Sequence, residues 1–249
     1  MQRFTNQLAI ITGAASGIGR ATALRLASEG ADLFCMDMQA EALQETTTMA
    51  GKHGGKVESL ICDISDEAQV KNAIESCVKI FGKINHLINM AGILRFDQTH
   101  ELELAHFEKV MKVNVSGTFL MCREAIPHLI NSNGSIVNAA STSAHAGLPW
   151  GSVYSASKGA ILAMTRSIAI EYSEMGLRAN TVSPGDIITE GMSNPKMPEG
   201  VNMKLLARAG SRTGRKGPEV IANVIAMLCS DDGIHITGED IRIDGGTLS

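Results

Sequence analysis

An apolar run, Leu8-Ala-Ile-Ile-Thr12, ends directly in Gly13-Ala-Ala-Ser-Gly17-Ile-Gly19, and a helical pattern from Arg20 to Glu29 follows before Gly30 stops it. Strand, glycine turn and helix in that order constrain this chain more than any other feature. They put bare backbone N–H groups at a helix N-terminus, where pyrophosphate oxygens bind well. The glycines permit a turn geometry and a close approach that a Cβ would block. A glycine turn alone is often only a turn. The spacing here, Gly-x-x-x-Gly-x-Gly, also differs from the commonest dinucleotide fingerprint, Gly-x-Gly-x-x-Gly.

The rest of the chain repeats the alternation. Strands are expected over Asp32–Met36, Val57–Ile61, His86–Asn89, Ser135–Ala139, Leu177–Val182 and Asp240–Ile243. Between them the spacing predicts helices over 39–50, 66–81 (stopped by Gly82), 103–130 as one long helix, 154–171 and 219–228. Such alternation specifies an α/β fold, a Rossmann-type doubly wound parallel sheet with helices on both faces. With no low-complexity linker and no repeat, residues 1–249 read as a single domain. The irregular segment 186–203, rich in Pro and Gly, is expected to be a substrate lid.

Composition removes several classes of function. A formal net charge of −4 and a pI near 6.0 give no general pull on nucleic acid. The basic run from Arg208 to Lys216 is broken by glycine and reads as a solvated loop rather than a phosphate track. No apolar stretch is long enough for a membrane span, and the N-terminus enters a strand too soon for a cleaved signal. The five cysteines are scattered without a Cys-x-x-Cys pair, as in a reduced cytoplasmic protein. The seven histidines show no metal-ligand spacing, so no metal is expected.

Two places carry chemistry. Tyr154 and Lys158 lie four apart on an expected helix and therefore share a face. A lysine charge about 4–5 Å from a phenol, at an effective dielectric of about 20, favours phenolate by roughly 3–4 kcal/mol. That would lower the tyrosine pKa by roughly two to three units, into the range of a general acid or base. Ser141, thirteen residues upstream at the end of a strand, can offer a hydroxyl to the same substrate oxygen. The second place is Asp37, at the carboxyl end of the second strand, where an adenosine ribose arrives in a doubly wound sheet. Positions 14–18 and 38 hold no base for a 2′-phosphate, which favours NAD(H). Asp37 is also expected to cap the following helix. Asp63 suits an adenine amine or a helix cap equally. Asn114 lies between valines in a helical run, which argues burial and therefore partners for its amide.

Taken together, these residues resemble the short-chain dehydrogenases/reductases over nearly the whole chain. The elements stand in the family's order: Thr12-Gly13-x-x-x-Gly17-Ile18-Gly19, Asp37, Asp63, Asn89-x-Ala91-Gly92, Asn114, Ser141, Tyr154-x-x-x-Lys158, and Pro184-Gly185 with Thr189. The resemblance implies Tyr154 as the acid/base and Ser141 as the group that polarises the carbonyl. Lys158 would bind the nicotinamide ribose and depress the tyrosine pKa, and Asn114 would retain a water on a proton path. It further implies cofactor contacts from Gly13, Ser16, Gly17, Ile18, Gly19, Asp37, Met38, Asp63, Ile64, Asn89, Ala91, Gly92, Pro184, Gly185, Ile187 and Thr189. Three departures stand out: Met90 replaces the usual second asparagine, Ala140 replaces a serine, and the segment before Pro218 is spaced differently.

The expected activity is NAD(H)-dependent interconversion of a secondary alcohol and a ketone. Leu94, Ser143, His145, Leu148, Trp150 and Met192 are the candidate substrate pocket, although Trp150 suits packing at a helix start as well. A 3-oxoacyl-thioester reductase is the alternative within the class, and an NAD-binding scaffold without turnover is the alternative outside it. The family's helical contact surfaces imply a homotetramer.

Overall fold

The computed structural model describes residues 2–189 and 196–249. Seven strands form one parallel sheet in the order β3-β2-β1-β4-β5-β6-β7. These are β1 Leu8–Thr12, β2 Asp32–Asp37, β3 Val57–Ile61, β4 His86–Asn89, β5 Ser135–Ala139, β6 Arg178–Pro184 and β7 Asp240–Ile243. The strand order reverses between β1 and β4, and a crevice opens there at the carboxyl ends of the strands.

Alternation along the strands builds two cores. Leu8, Ile10, Phe34, Met36, Leu87 and Ile136 turn to one face, against α3 (Glu67–Phe81), α5 (Thr118–Ile130) and α6 (Ser152–Glu171). Ala9, Ile11, Leu33, Cys35, Ile88 and Val137 turn to the other, against α1 (Gly17–Ser28), α2 (Ala40–Gly51) and α7 (Glu219–Cys229). Strands covered on both faces are apolar at nearly every position, as β1 and β4 are; β3 and β7, at the two edges, are only partly buried, and all of β1, β3, β4, β5 and β7 begin and end where the sequence places them. Helix ends follow local chemistry. Asp66 caps α3 by accepting from the Ala68 and Gln69 amides, and Gly82 closes it at φ 75°.

One expectation fails in an informative way. The run 103–130 is not a uniform helix but α4 (Leu104–Met111), a π-helical turn over Lys112–Gly117, and then α5. Gly117 lies against Ile64, so close that a Cβ there would sit 2.7 Å from Ile64 Cγ1. The wide turn brings Asn114 inside, where it is 1% exposed.

No helix among the described residues is long and apolar enough to cross a membrane. All five cysteines are free and buried.

Candidate active site

The glycine turn between β1 and α1 is built by close backbone approach. Gly13 has φ +68°, and a Cβ on it would lie 2.7 Å from the Ala91 nitrogen. A Cβ on Gly19 would lie 2.0 Å from the Gly13 carbonyl oxygen, so Gly19 allows the helix to start under the turn. Thr12 Oγ1 accepts from the amides of Met90 and Ala91, both at 3.2 Å, and docks the β4 loop beside the turn. Met90 itself packs against the apolar core on the α1 side, so an apolar contact occupies the position of the second asparagine.

Asp37 ties the same turn to the next strand. Its Oδ2 accepts from the Ala15 amide and its Oδ1 from the Gln39 amide, each at 3.0 Å. The N-cap of α2 is Gln39, so Asp37 is not the cap. Asp63 is not a cap either, since Asp66 holds that position on α3. Both carboxylates line the crevice, together with Met38 and Ile64. Met38 is 64% exposed, an apolar side chain left uncovered beside two acids.

The other end of the crevice gathers the reactive groups. Ser141 follows β5, accepts from the Ser143 amide at 3.2 Å, and its hydroxyl neighbours that of Tyr154. Lys158 Nζ stands 5.6 Å from the centre of the Tyr154 ring and donates to the Ala139 carbonyl at 2.7 Å. The expected electrostatic effect is outweighed here. Burial pushes the Tyr154 phenol above its ordinary pKa, and only the Ser141 hydrogen bond pulls it the other way. The same burial lowers Lys158 to about 8. Both shifts have one cause, the loss of water around groups that must carry charge.

Asn114 supports this end from behind. Its Oδ1 accepts from the Ile93 amide at 2.8 Å, and its Nδ2 donates to the Ile93 carbonyl and to Ser157 Oγ, both at 3.0 Å. The amide thus clamps the loop after β4 onto α6. A Cβ on Gly92 would press on Asn114 Oδ1 at 3.2 Å and approach Lys158 Nζ at 3.6 Å. Among the described residues Ser143 Oγ, buried in the lining of the crevice, has no hydrogen-bond partner.

The crevice holds about 1310 Å³. Of the residues expected around a cofactor, Gly13, Ser16, Gly17, Ile18, Asp37, Met38, Asp63, Ile64, Ala91, Gly92, Tyr154, Lys158, Pro184, Gly185, Ile187 and Thr189 all line it. Gly19 and Asn89 do not. Asn89 is 2% exposed and donates to Asn138 Oδ1 at 2.8 Å, within the sheet. The turn that excludes Cβ atoms, the helix start behind it and the acids across from it fit a dinucleotide stretched along the crevice.

The expected substrate pocket is only partly assembled. Leu94, Ser143 and Leu148 line the crevice. His145 does not, because its Nε2 turns to the buried Asp240 carboxylate on β7 at 2.8 Å, with Ser183 Oγ at 3.5 Å. Trp150 does not either. It has φ 59° and its carbonyl accepts from the Asp97 amide at 2.8 Å, a packing role at the start of α6. Met192 and residues 190–195 of the expected lid lie outside the described residues. The sequence reading missed Leu205, Leu206, Arg208, Arg212, Arg215, Thr247 and Leu248, which form the wall beyond β6. No periodicity announces them. They arrive because the Gly245 carbonyl accepts from the Arg212 and Thr213 amides and so holds residues 211–213 against the turn after β7.

Comparison with known proteins agrees with this geometry. The sequence profile of the enoyl-(acyl carrier protein) reductase family matches residues 13–247. The 3-oxoacyl-[acyl-carrier-protein] reductase of Thermotoga maritima is 37% identical, over 99% of this chain and 99% of its own. An NAD+-bound xylitol dehydrogenase structure superposes with a TM-score of 0.85 at 31% identity, covering 98% of this chain and 100% of that one. A short-chain dehydrogenase from Burkholderia cenocepacia J2315, in complex with NADP, gives a TM-score of 0.90 at 29% identity, covering 99% and 100%.

Proposed function

Because the chain belongs to the short-chain dehydrogenase/reductase family of oxidoreductases, we propose that it is an NAD(H)-dependent enzyme interconverting a secondary alcohol and a ketone, with Tyr154 as the general acid/base. The observation that carries this reading is the pair of neighbouring hydroxyls, Ser141 and Tyr154, beside a buried lysine at one end of a crevice that fits a dinucleotide. The choice of NAD(H) rests on the other end. Asp37 and Asp63 line it, no basic side chain among the described residues lines it beside them, and a 2′-phosphate would meet like charge.

When bound, the nicotinamide supplies or accepts the hydride. In the reducing direction Tyr154 donates its phenolic proton to the substrate oxygen, while the Ser141 hydroxyl holds that oxygen and polarises the carbonyl. A phenol whose pKa is raised stays protonated at neutral pH, the form reduction consumes. The Lys158 charge then stabilises the phenolate left behind, and its ammonium is placed to hold the nicotinamide ribose. Asp37 binds the adenosine ribose hydroxyls, and Ile187 and Thr189 hold the carboxamide end. Asn114 keeps the loop at Gly92 in place and serves the proton path to solvent.

Tyr154→Phe removes the proton and keeps the shape of the site. Reduction of a broad ketone panel, followed by NADH absorbance, is expected to fall at least about a thousandfold, within the usual contribution of a positioned acid. NADH affinity is expected to stay within a few-fold. A variant retaining comparable turnover would overturn the assignment.

The 37% identical relative keeps a 3-oxoacyl-thioester reductase as the second reading. Faster turnover of an acetoacetyl thioester than of simple ketones would select it. We also place the enzyme in the cytoplasm, on its free buried thiols, as a homotetramer. The uncovered Leu104, Phe107, Phe119 and Ile170 on α4, α5 and α6 support that assembly, and native mass tests it.

A further inference from the structure

The basic run that looks like a solvated loop has its arginines in the wall of the crevice. Arg208, Arg212 and Arg215 all line it. Arg215 is neutralised by Asp186, with Nε 2.9 Å from Oδ1. Among the described residues neither Arg208 nor Arg212 has an acidic partner, in a chain whose net charge is −4. Both are exposed.

Arg212 is held in place. Its amide donates to the Gly245 carbonyl at 3.0 Å, and its Cβ and Cγ lie 3.6 Å from where a Gly246 Cβ would stand. Thr247 Oγ1 donates to the Gly210 carbonyl at 3.2 Å, which fixes the turn from the other side.

These arginines are too far from the adenosine end to serve a 2′-phosphate. Residues 210–213 are bonded to the turn after β7, which lies beyond β6 in the sheet, and β6 itself lies four strand spacings from β2, which carries Asp37. At the usual inter-strand distance that is about 19 Å, beyond the reach of an arginine side chain. Leu148, Leu205, Leu206 and Leu248 line the same crevice and give it apolar surface. Two guanidiniums without an acidic partner among the described residues, in a crevice that also has apolar lining, match a ligand with a reacting carbon, a hydrocarbon middle and an anionic tail.

We propose that Arg208 and Arg212 form an anion subsite in the substrate half of the crevice, and that the substrate is a ketone or secondary alcohol carrying a carboxylate, sulfonate or phosphate beyond an apolar segment. This proposal rests on the oxidoreductase reading for the identity of the reacting group, but the anion subsite itself is tested by binding.

The experiment titrates short oxo acids and their methyl esters into the protein–NADH complex by calorimetry. A parallel arm compares acetoacetyl-CoA with acetoacetyl-N-acetylcysteamine, to separate a phosphate on a pantetheine arm from a small free anion. In at least one arm the anionic member is expected to bind at least about tenfold tighter, in keeping with a charge-assisted hydrogen bond. That preference is expected to weaken as salt rises and to collapse in the double variant Arg208→Gln/Arg212→Gln, while Arg212→Lys retains part of it. Equal binding of both members in both arms, or a preference that survives in the double variant, overturns the subsite. Turnover of the same compounds is read separately. An intact anion preference with no hydride transfer by any of them would sink the oxidoreductase reading and leave the subsite standing.

Discussion

Lys158 is buried at a cost. Its folded pKa of about 8 lies below the ordinary 10.5, so the unfolded chain holds the proton more tightly than the folded one between those two values. Stability therefore rises with pH from about 8 to 10.5, and below pH 8 the full penalty is present. Lys158→Met is expected to stabilise the fold at neutral pH by roughly 1–3 kcal/mol while abolishing turnover. Thermal unfolding of both proteins across that pH range checks it, and the stability gap should close as the pH rises. Single residues also set how much could be read in advance. Tyr154, Lys158 and Ser141 were legible because their spacing survives folding unchanged. His145 was not, because its partner Asp240 is remote in the chain and only the β6–β7 pairing brings the two together. The direction of the Tyr154 shift was likewise hidden, since burial is a property of the whole surroundings.

At the scale of elements, strands covered on both faces announce themselves by composition, and a capped helix such as α3 by its first and last residues. The π-helical turn at Lys112–Gly117 leaves no such mark. Its width is set by what lies against it, Ile64 on one side and the Ile93 loop on the other. The run from Arg208 to Lys216 reads in the sequence only as a solvated basic loop, and it joins the crevice through contacts with the turn after β7. Asp37 shows how one side chain couples elements, since it holds the β1–α1 turn to the start of α2. Asp37→Ala is expected to lower kcat/KM with NADH and to narrow the NADH/NADPH ratio by about tenfold or more, consistent with lost charge-assisted bonds to ribose. Steady-state kinetics with both cofactors measure it. An unchanged ratio would mean that Asp37 serves only the turn.

The molecule as a whole is joined across its sheet by buried polar links, and one of them is sensitive to acid. His86 on β4 is enclosed between Ser135 Oγ at 2.8 Å and Gln7 Oε1 at 2.7 Å, and burial lowers its pKa to about 3, with Arg178 adding to the shift. The unfolded chain takes up this proton near the ordinary 6.5, so His86 costs stability progressively as the pH falls from there towards 3. The total is of the order of 3–5 kcal/mol. Chemical denaturation at a series of pH values is expected to show a shallower acid slope in His86→Gln than in the parent. Parallel slopes would show that other groups drive acid unfolding.

The link from His145 to Asp240 fastens the short turn bearing Ser141 to the outermost strand of the sheet. Border strands are where fraying starts. Loosening of β7 would free the turn that bears Ser141 while both cores stay packed, so activity is expected to fall on mild heating before the far-UV circular dichroism changes, and coincident transitions would overturn this.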